Sequence, residues 1–292
     1  MKLMILGLGY TATIFARRRR AAGDQVAGTV RDAERARALR AEGIAAMPFE
    51  AQAGELGPVA AALREAEALL VSVPPAPAGD PLPERLAADV RDAARLRWIG
   101  YLSTVGVYGD QGGAWIDETT PCAPQSARGR ARLAAEEGWS ELGRSAGKPV
   151  IVFRLPGIYG PSRNPLQALR AGSARRIVKT GQVFNRVHVG DIATALDASL
   201  AADTAGAVYN LTDDEPAPPQ DVVAFAARLL NMAPPPEIPF EEAGLSPMAA
   251  SFYGENKRVR NDLIKRALGF IPAFPSYREG LQALFAAGEG AG

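Results

Sequence analysis

Apolar residues in the first half of the chain gather in short, nearly unbroken runs, and each run is followed by a longer stretch rich in Ala, Arg, Leu and Glu. The runs KLMILGL (2–8), QVAGTV (25–30), IAAMPFE (44–50), ALLVSVP (68–74), WIGYLST (98–104) and PVIVFRL (149–155) predict strands. The stretches near 11–22, 32–42, 57–66, 83–96 and 128–146 predict helices. Strand–helix alternation of this kind requires right-handed crossovers and parallel pairing. Strands that are apolar at nearly every position belong to a sheet covered on both faces. The expected fold class is therefore α/β, with a doubly wound parallel sheet.

After Leu155 the pattern changes. Gly and Pro cluster at 156–165, a basic mixed segment runs from 166 to 187, and a helix (191–202) and a strand (207–213) follow. Then come the Pro-rich DEPAPPQ, a helix near 220–231 and a second proline cluster at 234–239. This irregular part reads as a smaller domain placed at the C-terminal edge of the sheet, where ligands of open α/β sheets bind.

The first strand runs into Gly7-Leu8-Gly9-Tyr10-Thr11-Ala12, which opens a helix. In such a turn the first glycine makes the bend, and the second lets a pyrophosphate approach the backbone. The small third residue lets helix and strand pack closely, and the N–H groups of the helix start face the phosphates. This is a Rossmann-type dinucleotide turn, with Gly7, Gly9, Tyr10, Thr11 and Ala12 as its cofactor-binding residues. Residues 1–160 with about 186–213 are expected to form the dinucleotide domain, and about 161–185 with 214–292 the substrate domain. The second strand ends at Val30, where an acid would bind the ribose of NAD, and Arg31 and Asp32 follow. An arginine suits the 2′-phosphate of NADP, so NADP is the expected cofactor and NAD the alternative. Asp32 also reads as a helix N-cap.

Composition narrows the classes. A chain of 292 residues with a formal net charge of +1 has no field to attract nucleic acid or an anionic membrane. The run Arg17–Arg20 lies in the last turns of a helix, where cations complement the dipole. No apolar run is long enough for a membrane span, and the apolar N-terminus is too short for a signal peptide. The single cysteine, Cys122, leaves no internal disulfide framework and fits a cytoplasmic location. The single histidine, His188, argues against a His-rich metal site, and no metal is expected. No G-x-S-x-G elbow accompanies it.

The segment YLSTVGVYGD (101–110), with ETTPCAPQSARGRARLAAEE (118–137), FRLPGIYGPSR (153–163), NRVHVGDIA (185–193) and NKRVRNDLIKRALGF (256–270), resembles the extended short-chain dehydrogenase/reductases, the NAD-dependent epimerase/dehydratase superfamily. The resemblance implies a Rossmann domain with a smaller, mainly C-terminal substrate domain. It puts Thr104 in the place of the hydroxyl residue that orients substrate. It also sets Pro74, Ser103, Pro156 and Gly157 with the cofactor, and brackets the substrate segment with Arg163, Lys179 and Arg186. The family's helix carries Tyr-x-x-x-Lys; here Arg128 stands at the tyrosine and Arg132 at the lysine. A guanidinium stays protonated at physiological pH, so Arg128 cannot exchange the proton that a tyrosine would. Two arginines four apart share a helix face and favour an anion between them. Tyr159 is the candidate replacement for the phenol; Tyr108 and His188 are weaker ones. The expected partner is a small anionic molecule, with no nucleic acid and no membrane, and the oligomeric state is left open. The chain reads as an atypical member without the Tyr-x-x-x-Lys pair, carrying out a redox or epimerase-type reaction. The competing reading is a non-catalytic dinucleotide-binding sensor or regulatory protein.

Overall fold

The computed structural model describes residues 1–202 and 206–290. The described chain divides into two units. The first comprises Met1–Val107, Ala127–Arg154 and Ala193–Tyr209; the second comprises Tyr108–Ser126, Leu155–Ile192 and Asn210–Gly292.

The first unit is built on a seven-stranded sheet. Its strands are β1 (Lys2–Leu6), β2 (Gln25–Val30), β3 (Ala45–Pro48), β4 (Ala68–Val71), β5 (Trp98–Thr104), β6 (Val150–Leu155) and β7 (Val208–Asn210), and their spatial order is β7-β6-β5-β4-β1-β2-β3. β1 pairs in parallel with both β2 and β4, β2 with β3, and β4 with β5. The order reverses beside β1, as a doubly wound sheet requires, and puts the C-terminal ends of β1, β2, β4 and β5 along one edge. The helices α1 (Tyr10–Ala21), α2 (Ala33–Ala41), α3 (Gly57–Glu65) and α4 (Ala127–Ala146) supply the crossovers and cover. All four residues of β4 are buried, and Leu69, Val71, Ile99, Tyr101 and Trp139 share one core cluster. This is the double-sided burial that the unbroken apolar runs require.

The stretch 83–96 is not one helix. It breaks into Leu82–Arg85 and Ala87–Asp92 at Leu86, whose φ of −100° and ψ of 5° lie outside the helical basin. Three of the four arginines in the run of α1 pair with acids inside the unit. Arg17 pairs with Glu42 at 2.6 Å, Arg18 with Asp197 at 2.5 Å, and Arg19 with Asp24 at 2.5 Å and Asp197 at 2.8 Å. Arg20 donates to the Glu42 carbonyl at 2.7 Å.

The second unit holds three two-stranded parallel pairs: Gly157–Tyr159 with Arg186–His188, Arg176–Val178 with Glu237–Pro239, and Trp115–Ile116 with Arg258–Val259. Its main core joins Tyr159, Leu166, Val222, Ala226, Tyr277 and Leu281, drawn from short strands and from the helices Pro165–Arg170, Pro219–Leu229 and Tyr277–Ala286. No helix among the described residues is long and apolar enough to cross a membrane. Among the described residues no group of three or more His, Cys, Asp or Glu side chains is placed to hold a metal ion.

Candidate functional site

In the first unit the site begins at the turn between β1 and α1. Gly7 has φ +89°, and a Cβ there would sit 2.9 Å from both the backbone nitrogen and a methyl of Val73. A side chain is therefore excluded twice, by conformation and by space. The bend is braced by β2: Gly7 N–H donates to the Thr29 hydroxyl at 2.8 Å and Leu8 N–H to the Thr29 carbonyl at 2.7 Å. Gly9, the residue that opens α1, faces empty space; a Cβ built on it meets nothing within 4 Å. The helix start has no side-chain cap and no acid in its first turn. Thr11 and Ala12 are buried behind it, Ala12 completely. A bare glycine before an uncapped helix N-terminus is the arrangement that receives a phosphate.

Arg31 lies exposed just past β2. Because β1 and β2 run parallel in register from Lys2↔Gln25 to Ile5↔Gly28, Arg31 is on the same sheet edge as the glycine turn. Asp32 caps α2, its Oδ1 accepting from the Arg35 amide at 2.7 Å. Sequence reading missed Arg35. Its guanidinium reaches back over the turn, donating to the Leu8 carbonyl and the Thr13 hydroxyl, each at 3.2 Å. The spacing of Arg31 and Arg35, four residues apart around a cap, was the available signal. Pro74 is exposed shortly after β4, on that same edge.

At the end of β5, the Thr104 hydroxyl accepts from the Gly106 amide at 3.1 Å, which closes the turn that follows. Ser103 faces the interior instead. Its hydroxyl donates to the Glu136 carboxylate, which Arg154 grips in a fork at 2.8–3.2 Å. All three side chains are buried. Neither Glu136 nor Arg154 was singled out from sequence, because their pairing joins α4 to β6 across the fold. Arg128, in the first turn of α4, is exposed. Arg132 is half-buried; its Nη1 donates to the Leu102 carbonyl at 2.8 Å and the Tyr101 hydroxyl at 3.2 Å. The two guanidiniums expected to act as a pair are thus in different situations, one free in solvent and one tied to β5. Burial raises the Tyr101 phenol to about 12 despite Arg132 beside it.

Pro156, Gly157 and Tyr159 belong to the second unit. The Tyr159 hydroxyl donates to the Ser276 carbonyl at 3.3 Å, and its ring meets the His188 ring edge-on at 5.2 Å. Burial, then Asp213 and Asp191, push its phenol upward. That is the opposite of activation, so the structure gives Tyr159 the environment of a packing residue. Tyr108 is fully buried and donates to the Asn210 side-chain carbonyl at 2.8 Å. His188 Nδ1 accepts from the Gly190 amide at 3.1 Å, and burial lowers the imidazole to about 4. Asp191 accepts from the Ala273 and Phe274 amides at 2.8 and 3.1 Å, tying this segment to the C-terminal loop.

Comparison with known proteins shows what the chain is similar to. Residues 84–212 match the NAD dependent epimerase/dehydratase family. A solved structure of a functionally unknown conserved protein from Silicibacter pomeroyi is 47% identical, covers 98% of this chain and 99% of its own, and superposes with a TM-score of 0.87. Protein YeeZ of Escherichia coli is 32% identical over 243 residues, which are 80% of this chain and 85% of YeeZ. The UDP-glucuronic acid 4-epimerase of Bacillus cereus, solved with NAD, shares the fold at a TM-score of 0.78 with 15% identity, over 98% of this chain and 96% of its own.

Proposed function

The chain belongs to the NAD dependent epimerase/dehydratase family, and on that footing we propose that it binds NADP in preference to NAD and acts on a small anionic molecule in a redox or epimerase-type reaction. The observation that carries the cofactor reading is the glycine turn: a Gly9 with open space above it, ahead of an uncapped helix start. Gly7, Gly9 and the first-turn residues Tyr10, Thr11 and Ala12 would hold the pyrophosphate. Arg31 and Arg35 would meet the 2′-phosphate, with Asp32 capping α2 between them. The nicotinamide ring, when bound, supplies or accepts a hydride. This chain's own part is to position the substrate through Thr104, with Arg132 holding the end of β5 and Arg128 offering a charge to an anion.

One observation favours a second reading, a dinucleotide-binding protein without turnover. Neither Arg128 nor Arg132 can cycle a proton, and the phenols of Tyr101 and Tyr159 are both raised. Calorimetry with NADPH and NADH tests the cofactor proposal. NADPH should bind at least about tenfold more tightly, as loss of one charge-assisted contact would imply. Arg31→Ala combined with Arg35→Ala should erase the difference by weakening NADPH alone. Equal affinities in the unaltered protein would refute it. Turnover with a panel of carbonyl and nucleotide-sugar substrates separates the enzyme from the sensor.

A further inference from the structure

The second unit contains a cluster that the cofactor reading does not use. In the parallel pair of strands Gly157–Tyr159 and Arg186–His188, Arg186 is in register with Gly157 and His188 with Tyr159. Partners in register present their side chains on one face of the pair. At Gly157 that face is empty: the residue is exposed, and a Cβ would meet only the Asn185 carbonyl, at 3.4 Å. Arg186 stands beside the gap. Its Nη1 donates to the Phe184 and Ala217 carbonyls at 2.9 and 3.0 Å, which fixes the guanidinium and leaves Nε and Nη2 without a partner among the described residues.

Asp213 lies against the same strand, its amide donating to the Arg186 carbonyl at 2.7 Å. The residue is 3% exposed. Both carboxylate oxygens are shielded from solvent and no side chain bonds them; the Glu215 amide is the one backbone group that favours the charged form. Arg186 is its attractive neighbour, yet the two form no ion pair. A buried carboxylate left unpaired beside a partly satisfied guanidinium is costly unless some group bridges them. His188 adds a further unmet donor on this face. With Nδ1 accepting from Gly190, the ring proton is on Nε2, which is buried without a partner.

We propose that Arg186 and Asp213 form the carboxylate-binding end of a small-molecule site in the second unit, with Gly157 as its floor, and that the ligand is a sugar acid or similar hydroxy acid. The guanidinium offers two parallel N–H groups to the ligand's carboxylate. Burial, assisted by Asp214 and Glu215, holds Asp213 well above the ordinary carboxylate range. In its acid form Asp213 donates to the second ligand oxygen rather than repelling it. The inference rests on the proposed function only in taking the occupant to be part of the substrate.

The single histidine gives a clean reporter. The full-length protein, labelled with ¹⁵N at histidine, is titrated with D-glucuronate and, in parallel, with D-glucose, which carries a hydroxymethyl group in place of the carboxylate. Glucuronate should shift the His188 ring signals in a saturable way, and glucose should leave them in place. Arg186→Leu should weaken the glucuronate response at least about tenfold, as expected for loss of a charge-assisted hydrogen bond. If that variant does not fold, the double variant Arg186→Leu with Asp213→Ala, which removes both buried charges together, decides the matter and should also lose the response. No saturable shift with glucuronate, an equal shift with glucose, or an undiminished response in the folded variant would overturn the proposal. The titration needs no cofactor, so failure of NADPH binding is a separate result that tells against the proposed function alone.

Discussion

At the scale of single residues, the chemistry turns on what two glycines leave out. Gly7 is needed for its φ of +89° and its contact with Val73, whereas Gly9 is needed for the empty space before α1. Gly9→Asp should therefore fold normally and lose dinucleotide binding. The carboxylate would fill the pyrophosphate's space, repel its charge and cap the helix amides itself. A calorimetric affinity for NADPH within about threefold of the unaltered protein would contradict the turn's assignment. Gly7→Ala should instead reduce stability, by about 1 kcal/mol or more for a strained left-handed position with a close contact. This difference between two glycines of one motif was not legible in the sequence, since the spacing names both alike. The cap role of Asp32 was legible, and its Oδ1 does accept from the Arg35 amide. Arg35 was invisible because its role depends on a side chain reaching back 22 residues to Thr13.

At the scale of elements, the strands were readable because burial on both faces removes every polar position from them, as in Ala68–Val71. The helix boundaries were readable where charge and apolar spacing were strong, as in Ala127–Ala146. The break at Leu86 was not, because it follows from backbone geometry with no Gly or Pro at the site itself. Least readable was what joins α4 to the sheet: Ser103, Glu136 and Arg154 are far apart in sequence and buried together. Removing one member leaves a buried ion unmatched, so Glu136→Ala should cost about 3–5 kcal/mol. Replacing both ions by apolar residues, Glu136→Leu with Arg154→Met, should be much milder than the single change, because no charge is left stranded. Urea midpoints for the two variants check this. If Glu136→Ala costs less than about 1 kcal/mol, the fork contributes no stability of this kind.

At the scale of the whole molecule, 33 basic and 32 acidic side chains nearly cancel, and Arg17, Arg18 and Arg19 of α1 are paired locally. Global charge therefore gives folding little dependence on pH, and specific buried groups set it. His188, the chain's single histidine, moves from an ordinary value of 6.5 to about 4 through burial. Its folded form holds the proton less tightly than the unfolded chain does. Between about pH 4 and 6.5 the unfolded state thus binds the extra proton, and stability falls as the pH is lowered through that window. Above 6.5 the imidazole is neutral in both states and the effect is fully relieved. Asp191 and Asp213 work in the opposite sense, because burial raises them and protonation favours the folded form. A bare pH profile mixes these contributions, whereas a comparison with His188→Gln isolates one. The variant lacks the titrating ring but keeps both aspartates, so its urea midpoint should fall less than that of the unaltered protein between pH 7 and pH 5. The difference between the two proteins should shrink as the solution is acidified. Parallel curves over that range would mean that His188 takes up its proton in the folded protein as readily as in the unfolded chain, and that the second unit admits water to the ring.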